Sequence, residues 1–71
     1  MKNYILFPSY NEGLRLSSLL NEEGIKHTIS PTPRQLSTCC GMSIIYKDED
    51  EDKIKKIVED YKIGVIGFYT V

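Results

Sequence analysis

The chain has 71 residues, 41% of them hydrophobic and 27% charged, with a formal net charge of −1. That is a single small globular domain. It has no basic surplus to neutralise phosphates, so no nucleic-acid partner is expected. No stretch reaches the roughly 18 apolar residues of a membrane helix, so no membrane span is expected either.

The first segment, Asn3 to Phe7 (NYILF), is apolar and aromatic, and Pro8 stops it. It reads as a buried strand. One Lys, a short apolar run and no small-residue cleavage site argue against a signal peptide. Ser9 and Glu12 then have capping-box spacing, in which the hydroxyl accepts a free helix N–H and the carboxylate reaches back. Leu16, Leu19 and Leu20 fall on one helical face, and Gly24 suits the left-handed residue after a helix. The expected helix runs from Tyr10 to Glu23.

Ile25, His27 and Ile29 alternate with Lys26, Thr28 and Ser30, a period of two that predicts a strand over 25–30. Residues 31–41 are punctuated by proline and glycine. Met42 to Lys47 (MSIIYK) is β-branched and half apolar, a third strand. In DEDEDKIKKIVEDYKIG, Ile54, Ile57, Val58 and Tyr61 recur at i, i+3, i+4 and i+7. The acids 48–52 stand where a helix dipole favours negative charge, and Gly64 is the expected stop. VIGFYTV closes the chain as a fourth strand.

The order β-α-β-β-α-β predicts an α+β fold of the ferredoxin-like kind, a four-stranded antiparallel sheet with both helices on one face. A core this small yields little surplus stability, so a homodimer or another partner is expected to help.

In that topology a short hairpin, about 2–5 residues of loop, joins strands two and three. Here the link is 31–41, PTPRQLSTCCG, with two of the three prolines and both cysteines of the chain. Thr32 and Pro33 have the grammar of a helix start, N-cap and first helical position. PRQLS would then be one helical turn, pinned to the core by Leu36. Gly41 permits positive φ and a close backbone approach.

The chemistry this offers is a thiol in a short loop. Arg34 can lower its pKa or hold an anion, and backbone N–H groups around Gly41 can stabilise a persulfide. One feature opposes it: the C-terminal end of a helical turn disfavours a thiolate. The alternative is that free cysteines pack as small hydrophobes. Neighbours on a strand point to opposite faces, so one of Cys39 and Cys40 would be core and the other the candidate. A vicinal disulfide would staple nothing distant, so reduced thiols are expected. Two cysteines and one histidine do not make the four ligands of a structural zinc site within one chain. The acid run lacks calcium-loop spacing. His27 reads as a satisfied sheet residue, and as a base only if it reaches Cys40 across the loop.

PTPRQLSTCCG resembles the P-T-P-R-x-(I/L)-S-x-x-C-G segment of the small selenium/sulfur carrier protein-like family of bacterial domains. YILFPSYNEGLRLSSLLNEEGI is similar to the strand, glutamate-bearing helix and Gly-Ile turn of that family. The matching loop positions are Pro31, Thr32, Pro33, Arg34, Ser37, Cys40 and Gly41, and Cys39 is an addition in this chain. The resemblance implies a cytoplasmic protein that carries a persulfide or selenopersulfide on Cys40. Its partners would be a persulfide donor protein and an acceptor enzyme. This is carriage rather than turnover catalysis, and it needs no metal or cofactor. The C-P-x-P motif of the better understood sulfur carriers is absent, and their element order differs. The alternative is a ferredoxin-like ligand-binding, regulatory or accessory module without thiol chemistry, in which Pro33 and Arg34 matter more than the thiol.

Overall fold

A computed structural model describes residues 2–36 and 41–71, Arg34 by its backbone alone. Ser37, Thr38, Cys39, Cys40 and the Arg34 side chain lie outside the described residues.

The strands are β1 (Asn3–Leu6), β2 (Thr28–Pro31), β3 (Met42–Tyr46) and β4 (Gly67–Thr70), and the helices α1 (Tyr10–Glu22) and α2 (Glu51–Asp60). They form one sheet in the order β2-β3-β1-β4 with every pairing antiparallel, the ferredoxin-like arrangement. Ile5, Phe7, Ile44 and Tyr46 project from one face of the sheet onto Leu16, Leu20 and Ile54 of the helices. Ile5, Phe7, Leu16, Leu20, Ile44 and Ile54 are fully buried, each contributing about 1.5–3 kcal/mol of apolar burial. Tyr46 meets Phe68 edge-on, with ring centroids 6.1 Å apart.

Several boundaries differ from the sequence expectation, each for a physical reason. Strand two begins at Thr28 rather than Ile25. The N–H of Ile25 closes the end of α1 on the Leu20 carbonyl at 2.9 Å, and His27 is held by Ser17 and the Ile25 carbonyl. Those residues belong to the helix end, not the sheet. Strand two ends on Pro31, which the sequence reading placed in the loop. Thr32 donates to the Gly41 carbonyl at 3.0 Å, so by antiparallel alternation the nitrogen of Pro31 faces away from β3, where a missing N–H costs nothing.

The acid run opens as a 3-10 turn, Asp48–Asp50, before α2 begins. Gly64 does not end α2. Lys62 takes the left-handed position, at φ 52°, and the Ile63 N–H reaches back to the Val58 carbonyl at 2.9 Å. Tyr61, expected on the apolar face, is half exposed. The last strand begins at Gly67, two residues later than the apolar run. Gly24 is left-handed as expected, at φ 71°.

Only half of the capping box forms. Ser9 accepts the Glu12 N–H at 3.4 Å, but the Glu12 carboxylate turns away to accept the Gly64 N–H. Arg15 lies 3.8 Å from that carboxylate and donates to the Tyr61 carbonyl at 2.9 Å. Two α1 side chains thus satisfy the end of α2, where a cation also suits the dipole.

Candidate functional site

Antiparallel pairing decides what surrounds the long β2–β3 link. Leu6 stands opposite Ser43, and continuing that register sets Pro8 opposite Gly41. The C-terminal end of β1, the start of β3 and the N-terminus of α1 therefore share one end of the sheet. The end of β2 lies there too, because Pro31 pairs with Met42.

The base of the link is closed by the Thr32–Gly41 hydrogen bond, and the Ser43 hydroxyl ties back to the Ser30 carbonyl at 3.1 Å. Gly41 has φ 67°, as expected of it. A Cβ there would meet nothing within 4 Å. Backbone conformation, not crowding, therefore demands the glycine. Pro33 supplies the carbonyl that takes the Leu36 N–H at 2.9 Å, so the turn is a 3-10 turn over Arg34–Leu36 that starts one residue later than expected. Leu36 does not reach the main core. With Gln35 it lines a small cleft against Leu6, Ile66 and Tyr69, on the sheet face away from the helices.

Beside Gly41 lies an open cleft of 240 Å³ formed by Tyr10, Ile29, Ser30, Pro31, Gly41 and Met42. Tyr10 is the first residue of α1, capped by Ser9 at φ −148°. The first N–H groups of a helix have no intrahelical acceptor and carry the positive end of its dipole. The sequence reading weighed only the short turn after Pro33, whose dipole opposes a thiolate. It missed the thirteen-residue α1 opening at the same end, although the β-α-β-β order alone implies that placement. The approach of α1 to β3 is close here. A Cβ on Gly13 would lie 2.6 Å from Met42 Sδ and 3.2 Å from Phe7 Cδ2.

Thr32, Pro33 and Gly41 thus gather at the base of the link. Ser37, Cys39, Cys40 and the Arg34 side chain are outside the described residues. His27 is not part of this group. Its Nε2 is 2.7 Å from the Ser17 hydroxyl and its Nδ1 3.1 Å from the Ile25 carbonyl, and about 13 Å of strand separates it from Pro31. Both ring nitrogens thus have partners among the described residues, as expected of a satisfied residue.

A family model described as "Putative Se/S carrier protein-like" matches residues 2–70. The chain belongs to that family. The match takes in the whole β-α-β-β-α-β unit, loop included. No curated protein and no solved structure matches the chain significantly. No helix among the described residues is long and apolar enough to cross a membrane.

Proposed function

We propose that the protein carries sulfur or selenium as a persulfide or selenopersulfide on Cys40. Membership of the selenium/sulfur carrier-like family over residues 2–70 carries this reading. The left-handed Gly41 directly after Cys40 and the N-terminus of α1 beside Gly41 support it. Both offer backbone N–H groups suited to an anionic chalcogen.

In the loading step the Cys40 thiolate attacks the outer sulfur of a donor persulfide. A new S–S bond forms on Cys40, the donor S–S bond breaks, and the donor leaves as a thiolate. An acceptor nucleophile later attacks the terminal sulfur and releases the Cys40 thiolate. A selenopersulfide follows the same balance. Arg34 and the Gly41 N–H steady the terminal anion, Thr32 and Pro33 shape the loop, and Ser37 and Cys39 flank the thiol. The partners are a persulfide donor protein and an acceptor enzyme, and the compartment is cytoplasmic.

Mass spectrometry after incubation with a cysteine desulfurase and cysteine tests this. One added sulfur atom is expected on Cys40 and none on the Cys40→Ala variant. If wild type and variant gain the same mass, or neither gains any, the carrier reading falls. The ligand-binding or accessory module then remains.

A further inference from the structure

A second cleft lies at the other end of the sheet. It is open, about 710 Å³, and bounded by Lys26, His27 and Thr28 on one side and Ile45, Tyr46 and Lys47 on the other. We propose that it binds a small organic anion, a carboxylate or a phosphate ester on an apolar body.

The cleft exists because two strands part. Thr28 and Ile45 are the last partners of the β2–β3 ladder. Continuing the register would set Lys26 opposite Lys47, in a position where the two residues exchange main-chain hydrogen bonds. They do not exchange them. Lys26 and His27 are drawn toward the end of α1, where His27 is fixed by Ser17 and the Ile25 carbonyl. The Lys47 carbonyl is taken by the Asp50 N–H at 2.9 Å. Among the described residues no backbone carbonyl accepts from the N–H of Lys26 or of Lys47, on the two sides of the gap.

The charges agree with the backbone. The chain has more acids than bases, ten against nine, yet the lining of this cleft holds two lysines, a histidine and no carboxylate. Glu23, Glu49 and Asp50 stand in the adjoining cleft, which Lys26 and Lys47 also line. Among the described residues the ion pairs are Arg15–Glu12 and Lys55–Glu51, so neither Lys26 nor Lys47 has a carboxylate within 4.0 Å. Two cations lining one cleft with no carboxylate in its lining leave positive charge that an anion can neutralise. Ile25 and Tyr46, both buried, and the half-buried Ile45 supply an apolar floor. Asn21 and Thr28 add polar residues to the lining. Those features select an anion with an apolar body over a bare ion. The site is remote from Gly41 and does not depend on the carrier reading.

The test is an NMR titration of the isotope-labelled full chain with phenyl phosphate, benzoate, inorganic phosphate and the neutral benzyl alcohol. The amide signals of Lys26, His27, Thr28 and Lys47 are expected to shift saturably, with Kd in about the millimolar range for so small a ligand. The stronger of phenyl phosphate and benzoate identifies the head group. Lys26→Ala with Lys47→Ala should weaken binding about tenfold, and the two Arg replacements should keep it. Absence of a saturable shift, an unchanged affinity in the double Ala variant, or equal binding of benzyl alcohol overturns the proposal. Inorganic phosphate binding as tightly as phenyl phosphate overturns its apolar half. A Cys40→Ser chain should bind the same ligand equally well, which separates this outcome from the fate of the carrier reading.

Discussion

The two ends of the sheet solve the same problem differently. At the end where β1 begins, the chain's polar groups are caught by side chains. Asn3, only 6% exposed, donates to Asp48 Oδ1 at 2.5 Å and accepts the Thr70 hydroxyl at 2.7 Å. Tyr46 donates its hydroxyl to Glu51 at 2.7 Å, and Lys2 and Val71 extend the β1–β4 ladder through both main-chain bonds. At the opposite end, the side-chain ties from Glu12 and Arg15 run toward Tyr61 and Gly64, on the far side from the loop. Around Gly41 the described ties include the Thr32–Gly41 bond, the Ser43 hydroxyl on the Ser30 carbonyl and Met42 lying against Gly13. The first end is tied by side chains that reach segments distant in the sequence, whereas the described ties beside Gly41 join neighbouring strands and the start of α1.

Asn3→Ala should break the firm end most severely. It removes the amide that joins β1 to the start of the acidic turn and to β4, and leaves the Thr70 hydroxyl and Asp48 without that partner. About 2–3 kcal/mol of stability should be lost. In a domain this small that lowers Tm by about 10–20 °C. Denaturant unfolding with an unchanged m-value measures it. A loss no larger than a surface substitution gives would mean that water replaces Asn3 and that the contrast between the ends is only apparent.

The end beside Gly41 is probed by Gly41→Ala against Gly24→Ala. Both glycines are left-handed, at φ 67° and 71°, and both have open space where a Cβ would stand. The conformational cost is about 1–2 kcal/mol at either position. Equal losses would show that Gly41 contributes only its backbone. A larger loss at Gly41 would show that the link beyond it is coupled to the fold. A smaller one would show that this end relaxes freely.

Much of the architecture was legible because periodicity reports burial. The Leu16, Leu20 face, the Ile54 face and the apolar β1 and β3 each follow from spacing alone, and their order restricts the topology. What was not legible depended on partners distant in the chain. His27 looked like a strand residue until Ser17, ten positions earlier, took its ring. Glu12 looked like a capping residue, but Gly64 is a better placed donor. Pro31 read as loop punctuation, yet an edge position tolerates it. Lys62 adopts a conformation that sequence reasoning reserves for glycine or asparagine. Within the candidate site, the Pro, Gly and Cys pattern marked the loop. Its relation to the start of α1 lies in the topology and not in any motif.

The smallest effect is expected from Tyr46→Phe, and its pH dependence is the informative part. The Glu51 carboxyl is held below its ordinary value chiefly by the hydrogen bond from Tyr46; desolvation opposes this, and the nearby Lys55 charge adds a lesser lowering. The Tyr46 hydroxyl is in turn pushed well above its ordinary value, first by burial and then by Glu51. A carboxyl whose folded pKa lies below its unfolded one binds fewer protons when folded. Its contribution is complete above the unfolded value, at about pH 5 and higher, and is lost as pH falls through the folded value. Removing the Tyr46 hydroxyl removes the leading cause of that depression. Wild type should therefore exceed the variant in stability at neutral pH, and the gap should close as Glu51 protonates. Parallel stability curves from about pH 7 to about pH 3 would show that Glu51 does not report on the fold. The firm end of the sheet would then owe its strength to Asn3 and the backbone ladder, not to the Tyr46–Glu51 pair.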